Sequence, residues 1–168
     1  MEFRDLYDEN RVLTGETIEK CQPVPKGRYY VTVMVFIENS KGEILMQKRS
    51  KPKGGKWATT GGHPKSGETS LQGMCTEIEE EIGLKVAPDE LALFKTIKTE
   101  DDFVDLYYLK RDVDLKETNL QKDEVQALKW FSKEKLKKLM NSTKFFMKTY
   151  EATIEFLNFL ETNREVRK

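Results

Sequence analysis

The 168-residue chain has no apolar run approaching the roughly 18 residues that a bilayer-crossing helix requires, so no membrane span is expected. Cysteine is scarce. Cys21 and Cys75 stand outside any paired motif, which argues against a disulfide scaffold and suits a reducing cytoplasm. The opening stretch, MEFRDLYDENR, is charged and holds no apolar signal core, so no secretory leader is expected. Net charge is lacking as well, since 29 basic residues balance 29 acidic ones. A sequence-independent nucleic-acid binder would be basic, so nucleic acid is not the expected partner; a small phosphate-bearing ligand needs only a local site. Histidine occurs once, and His63 reads as a turn residue rather than a catalytic base. Repeats, low-complexity tracts and long linkers are absent, which points to one domain over residues 1–168.

What the chain does have is strand-like alternation followed by helical periodicity. Residues 1–27 read as a hairpin extension, broken at DENR and Gly15 and closed by the connector QPVPKG. A strong strand pair follows: β-branched and aromatic residues over 29–37, the turn ENSKGE, then 44–49. SKPKGGKWATTGGHPKSG reads mostly as loop, with a short strand at 57–60. A helix is predicted over 69–82 with Gly83 as its C-terminal cap. Two strands around EDD, a strand at VQALKWFS and a short helix opened by Ser132 come next. An amphipathic helix is expected over 143–168, its apolar face carrying Phe145, Phe146, Tyr150, Ile154, Leu157 and Leu160. This order predicts an α+β domain with a mixed sheet and helices on both faces.

The chemistry concentrates in GGHPKSGETSLQGMCTEIEEEIGL, residues 61–84. At about 100° per residue, Leu71, Met74, Cys75, Ile78 and Ile82 share one stripe that should face the sheet. Glu77, Glu80 and Glu81 share an adjoining face, while Glu79 points to solvent. Like charges at these spacings repel, and the C-terminal end of a helix dipole disfavours anions. An acidic helix face is often simply solvated. Here, though, Glu68 and a flexible glycine-rich loop precede it, and a hard divalent cation such as Mg²⁺ would offset the repulsion.

The stretch resembles the Nudix box: Gly62, five residues, Glu68, seven residues, then Thr76, Glu77, Ile78, Glu79, Glu80, Glu81, Ile82, Gly83 and Leu84. Every defined position matches except one, where Thr76 replaces an arginine. The flanks GEILMQKRS, GKWATTGGH and DEVQALKWFSKEKL are similar to the family too, so the resemblance spans roughly residues 28–139. It implies an α/β/α sandwich with the box as a loop–helix–loop. It also implies hydrolysis of a nucleoside diphosphate linked to another group, with Mg²⁺ or Mn²⁺.

By that resemblance Glu77, Glu80 and Glu81 would hold the metal, with the Gly62 carbonyl as a further ligand. One box glutamate could also serve as base. Outside the box, Glu124 is the candidate base or extra ligand, with Asp101, Asp102 and Asp105 as competitors. Arg49, or else Lys48, would bind phosphate, because a guanidinium gives two charge-assisted hydrogen bonds and adjacent strand residues face opposite ways. Lys51, Lys53 and Lys56 add local positive charge, and Trp57 is expected to pack beside the loop. The family arginine pairs with the first box glutamate. With Thr76 there, another cation substitutes, the metal alone organises Glu77, or activity is weakened.

A metal-dependent RNA-end hydrolase is disfavoured by the neutral charge and the absence of a basic stripe, and two other rival readings remain. GGKWATTGGHPKSGE also resembles the loop of isopentenyl-diphosphate isomerase, but the cysteine that enzyme carries before Gly-His-Pro is Gly61 here. A non-catalytic ligand-binding domain on the same fold is the other, and Thr76 is its support. Tyr29, Phe103, Tyr107 and Phe146 are candidates for lining a base pocket. A homodimer through the hairpin or the sheet edge would suit the fold.

Overall fold

In the computed structural model, which describes residues 1–166, two β-sheets and three α-helices surround two apolar cores. The first two strands, β1 (Phe3–Tyr7) and β2 (Leu13–Glu19), form an antiparallel hairpin with its own two-stranded sheet. The main sheet contains β3 (Tyr30–Glu38), β4 (Ile44–Arg49), β5 (Trp57–Ala58), β6 (Thr60–Gly62), β7 (Ala92–Lys98), β8 (Asp102–Lys110) and β9 (Val125–Phe131). Its main path runs β5-β4-β3-β8-β7, with β6 also on β3 and β9 on β4. Only β3 and β8 among these pairs run parallel, so the sheet is mixed, as the sequence predicts.

Strand β3 explains the layering. Its side chains alternate. Val31, Val33, Val35 and Ile37 join Leu45 against Met74, Ile78 and Ile82 of α1 (Ser70–Ile82). Phe36 points the other way, with Ile44, Met46 and Leu106, onto α2 (Lys133–Met140) and α3 (Tyr150–Val166). Both faces of the sheet are thereby covered.

Local signals set the helix ends. Thr69 and Gln72 form a reciprocal capping box at the start of α1, and Gly83 closes it at φ 70°. Ser132 accepts from the Lys135 N–H at the start of α2. The expected 57–60 strand is split. β5 pairs with β4, β6 pairs with β3, and Thr59 crosses between them, its hydroxyl donating to the Val35 carbonyl. This crossover delivers Gly62 to the start of the box loop.

The C-terminal helix differs from expectation. It begins at Tyr150, not at residue 143, and residues 167–168 of the predicted span lie outside the described residues. Residues 144–146 are extended instead. The Trp57 N–H donates to the Lys144 carbonyl and the Phe146 N–H to the Trp57 carbonyl, both at 2.8 Å. Phe145 is buried in the core from this extended segment, so its apolar character reports burial and not helical phase. The buried face of α3 carries Ala152, Thr153, Phe156, Leu157 and Leu160, while Ile154 is exposed.

Candidate active site

The box helix sorts its carboxylates by depth. Glu79 and Glu80 are exposed, Glu77 is half-buried and Glu81 is only 7% exposed. The Glu77 carboxyl lies against Gly62, where a Cβ atom would sit 2.3 Å from its carboxyl carbon. Glycine therefore lets the Glu77 carboxyl lie directly on the backbone, and a larger residue would push that flexible side-chain end aside. The backbone N–H of His63 donates to Glu77, and Lys65 also acts on it. Burial, then repulsion from Glu80 and Glu2, outweighs these contacts and raises the Glu77 carboxyl to about 7.

Glu81 is more extreme. Burial, followed by the charges of Glu77 and Glu124, pushes it up to about 8 against a hydrogen bond from Gln47 and the charge of Lys53. Thr60 donates to Gln47 Oε1 at 2.8 Å, which leaves the Gln47 amide nitrogen free to serve Glu81. Oε2 of Glu81 nonetheless has no hydrogen-bond partner among the described residues and is sealed from solvent. A buried oxygen without a partner carries its full desolvation penalty.

The sequence places Glu77, Glu80 and Glu81 on one face, and the structure refines that grouping. The charges of Glu77 and Glu124 both act on Glu81. Glu80 is turned out to Lys65, 2.7 Å away, and Glu124 is paired with Lys53. Among the described residues no three acidic, histidine or cysteine side chains are already drawn together as a metal cluster. The donor set still fits a divalent cation. All the donors are hard oxygens, one of them buried and orphaned, and two carboxyls are starved of positive charge.

Thr76 has a definite role. Its hydroxyl donates to Glu68 Oε2 at 2.8 Å, while the Lys65 N–H donates to Oε1 at 2.8 Å. A hydrogen bond from an uncharged hydroxyl thus holds the first box glutamate where the family motif has an arginine. Glu68 braces the loop against α1 and does not join Glu77 and Glu81.

Of the aspartates considered beside Glu124, Asp102 receives hydroxyl hydrogen bonds from Thr32 and Thr99. Asp105 takes both arms of Arg11, plus Ser70 and Thr96. Burial alone would raise Asp105, but these hydrogen bonds prevail and hold it below the usual carboxylate range. Both are committed to holding strands together, and Asp101 is exposed. Arg49 lies with its guanidinium 3.8 Å from the ring centroid of Phe146, across from Val125 and so next to Glu124. Lys48 pairs in register with Trp57 and Ala127.

His63 is neutral, because burial and then the charge of Arg4 push it down to about 4. Its Nδ1 lies 3.3 Å from Thr32 Oγ1, and its ring meets Tyr30 edge-on. Tyr29 and Phe103 pack on each other, and the Tyr107 hydroxyl meets Ser70. A cavity of about 260 Å³ opens between α2 and α3, bordered by Lys133, Lys137 and Tyr150, but it contains none of these carboxylates.

Sequence reasoning passes over the hairpin's contribution. Asp5 accepts from the Ser66 hydroxyl at 2.6 Å and the Gly67 N–H at 3.0 Å, and the Ser66 N–H donates to the Phe3 carbonyl. Strand β1 thereby fastens the box loop. Gln47 also goes unremarked, although a polar residue after the buried run Ile44–Met46 is a signal for a site-facing group.

Residues 28–150 match the family model described as NUDIX domain. An uncharacterized Nudix hydrolase of Listeria monocytogenes is 35% identical over 150 residues, covering 86% of this chain and 88% of the relative. An isopentenyl-diphosphate Delta-isomerase of Pectobacterium atrosepticum is 38% identical over 86 residues, but that covers 49% of this chain and 48% of the isomerase. Among solved structures, a Deinococcus radiodurans protein superposes with a TM-score of 0.74 at 21% identity, covering 92% of this chain and 98% of its own. A bifunctional NMN adenylyltransferase/ADP ribose pyrophosphatase of Francisella tularensis, complexed with AMP and a Mn ion, gives 0.60 at 21% identity, covering 83% and 43%.

Proposed function

The chain belongs to the Nudix family of hydrolases, and on that premise we propose that it is a divalent-metal-dependent pyrophosphohydrolase. Its substrate would be a nucleoside diphosphate linked to another group, and its metal Mg²⁺ or Mn²⁺. The observation that carries this reading is the orphaned Glu81 Oε2, buried beside Glu77 and Glu124. Glu77, Glu80, Glu81 and the Gly62 carbonyl would hold the metal. A bound divalent cation neutralises diphosphate charge and lowers the pKa of a coordinated water.

The remaining work falls to side chains of this chain. Glu124 would accept the proton of the attacking water at a carboxylate oxygen after leaving Lys53. Arg49, stacked on Phe146, would donate its fork to a phosphate oxygen. Gln47 would hold the Glu81 carboxyl in place. Thr76 would act through Glu68 as a brace, so loss of the family arginine weakens the site without dismantling it.

The test is turnover of a panel of nucleoside-diphosphate derivatives with Mg²⁺ and with Mn²⁺, alongside calorimetry of each metal. Absence of both turnover and metal binding would overturn the reading. Isopentenyl diphosphate belongs in the same panel, because half the chain is similar to an isomerase. With Gly61 in place of a thiol, no isomerisation is expected.

A further inference from the structure

Two lysines flank the buried glutamate pair in matching arrangements. On one side Lys65, in the box loop, holds Glu80 at 2.7 Å. On the other Lys53, in the turn after β4, holds Glu124. The charge of each lysine is also felt at the buried pair. Lys65 and Glu80 act with opposite sign on Glu77, and Lys53 and Glu124 act with opposite sign on Glu81. The same arrangement therefore stands at both ends of the pair: a buried carboxyl, an outer carboxyl, and a lysine clasping the outer one.

Both clasps are half-exposed, with Lys65 and Glu80 side chains at 42% and 45% and Lys53 and Glu124 at 37% and 24%. Ion pairs this open are weak and exchange easily. An outer carboxylate drawn inward to a divalent cation would release its lysine. The freed ammonium, on a flexible four-carbon stem, would then stand at the rim of the site without its ion-pair partner, Lys65 keeping only the through-space charges of Glu2 and Glu68. Mg²⁺ characteristically shares its ligand sphere between carboxylates and substrate phosphates. The anion arriving at that rim is the phosphate chain.

We propose that Lys65 and Lys53 are exchangeable partners that clasp Glu80 and Glu124 in the metal-free protein and transfer to the substrate's diphosphate when Glu80 turns to the metal and Glu124 to the metal's water. This rests on the hydrolase reading above. It goes further by making each lysine an opponent of the metal and an ally of the substrate, two effects of opposite sign from one residue.

The opposite signs give the test. Mn²⁺ is titrated calorimetrically into substrate-free wild type, Lys65→Met and Lys53→Met. Methylenebisphosphonate, a non-hydrolysable diphosphate, is then titrated into each protein saturated with Mn²⁺. Lys65→Met should bind Mn²⁺ about two- to fivefold more tightly, the range of a surface ion pair, and bind the bisphosphonate about five- to tenfold more weakly. Lys53→Met should do the same. In Lys65→Met/Glu80→Gln the gain in metal affinity over Glu80→Gln alone should vanish while the bisphosphonate loss persists. Lys95→Met, which removes a remote ion pair with Glu155, should change neither. Unchanged or weaker Mn²⁺ binding in both single variants, or unchanged bisphosphonate affinity, overturns the exchange. No Mn²⁺ binding to wild type overturns the hydrolase reading instead, so the two failures are distinct.

Discussion

Replacing Glu81 by glutamine should stabilise the metal-free protein while removing its response to metal. Glu81 is 93% buried by the complement of its 7% exposure, and its carboxyl is raised from 4.5 to about 8. At neutral pH the unfolded chain releases this proton and the folded chain retains it. The penalty is about 3 kcal/mol at roughly 1.4 kcal/mol per pH unit. Glutamine has no charge to suppress and keeps a hydrogen bond to Gln47. Allowing for an imperfectly satisfied amide, about 2 kcal/mol should remain, or roughly 4–8 °C in melting temperature for a chain of this size. The sign against pH follows from proton counting. The folded state binds more protons than the unfolded state between about 4.5 and 8, so wild-type stability falls as pH rises through that window and levels off above it. His63, held down at about 4, has the opposite slope below 6.5. The comparison therefore belongs between pH 6.5 and 8.5. Thermal melts in EDTA should show wild type losing about 2 kcal/mol across that interval through Glu81, with a smaller loss of the same sign through Glu77, and Glu81→Gln keeping only the Glu77 part. Millimolar Mg²⁺ should raise the wild-type melt and leave the variant nearly unmoved. The reasoning is refuted if Glu81→Gln melts no higher than wild type in EDTA at pH 8, or if it keeps the full Mg²⁺ response.

Other substitutions separate site from scaffold. Gly62→Ala places a Cβ atom 2.3 Å from the Glu77 carboxyl carbon, and the flexible end of Glu77 will yield. Activity should fall about 10- to 100-fold, the range for disturbed metal surroundings, with a melt within a few degrees of wild type. Arg11→Met leaves the Asp105 charge buried without its guanidinium, which should cost about 3–5 kcal/mol and be read in urea unfolding at pH 7. Thr76→Val removes the hydroxyl from Glu68 and should cost about 1 kcal/mol. Its activity should drop several-fold, whereas Thr76→Ser should behave as wild type.

The fold was legible where period and punctuation agreed. Residues 69–83 carry the apolar stripe and terminal glycine of one helix, and the structure has that helix over Ser70–Ile82, with Thr69 as its N-cap. Residues 143–149 look helical in sequence because Phe145 and Phe146 have the apolar character of a helix entry, while the residue they pair with, Trp57, is distant in the chain. A hydrogen bond to a distant segment leaves no local periodicity to detect. The site shows the same divide. Spacing separates Glu79 from Glu77 and Glu81, because a helix wheel is local geometry. It could not separate Glu80 from that pair, since Lys65 reaches it through a loop whose path depends on β1. Nor could spacing reveal that Thr76 keeps a hold on Glu68, because a hydroxyl substitutes for a guanidinium only when the distance is short.

The fastening of the box loop by the first strand bears on the order of assembly. Asp5 grips Ser66 across 61 residues, and Arg11 grips Asp105 across 94. Helix α1 can form within its own segment, but the loop beside it is fixed only after these long closures, which are entropically slow to make. During refolding, helical circular dichroism should therefore recover before the capacity to bind Mn²⁺. On the ribosome the hairpin emerges first and must wait until β8 has emerged before its arginine finds an anion.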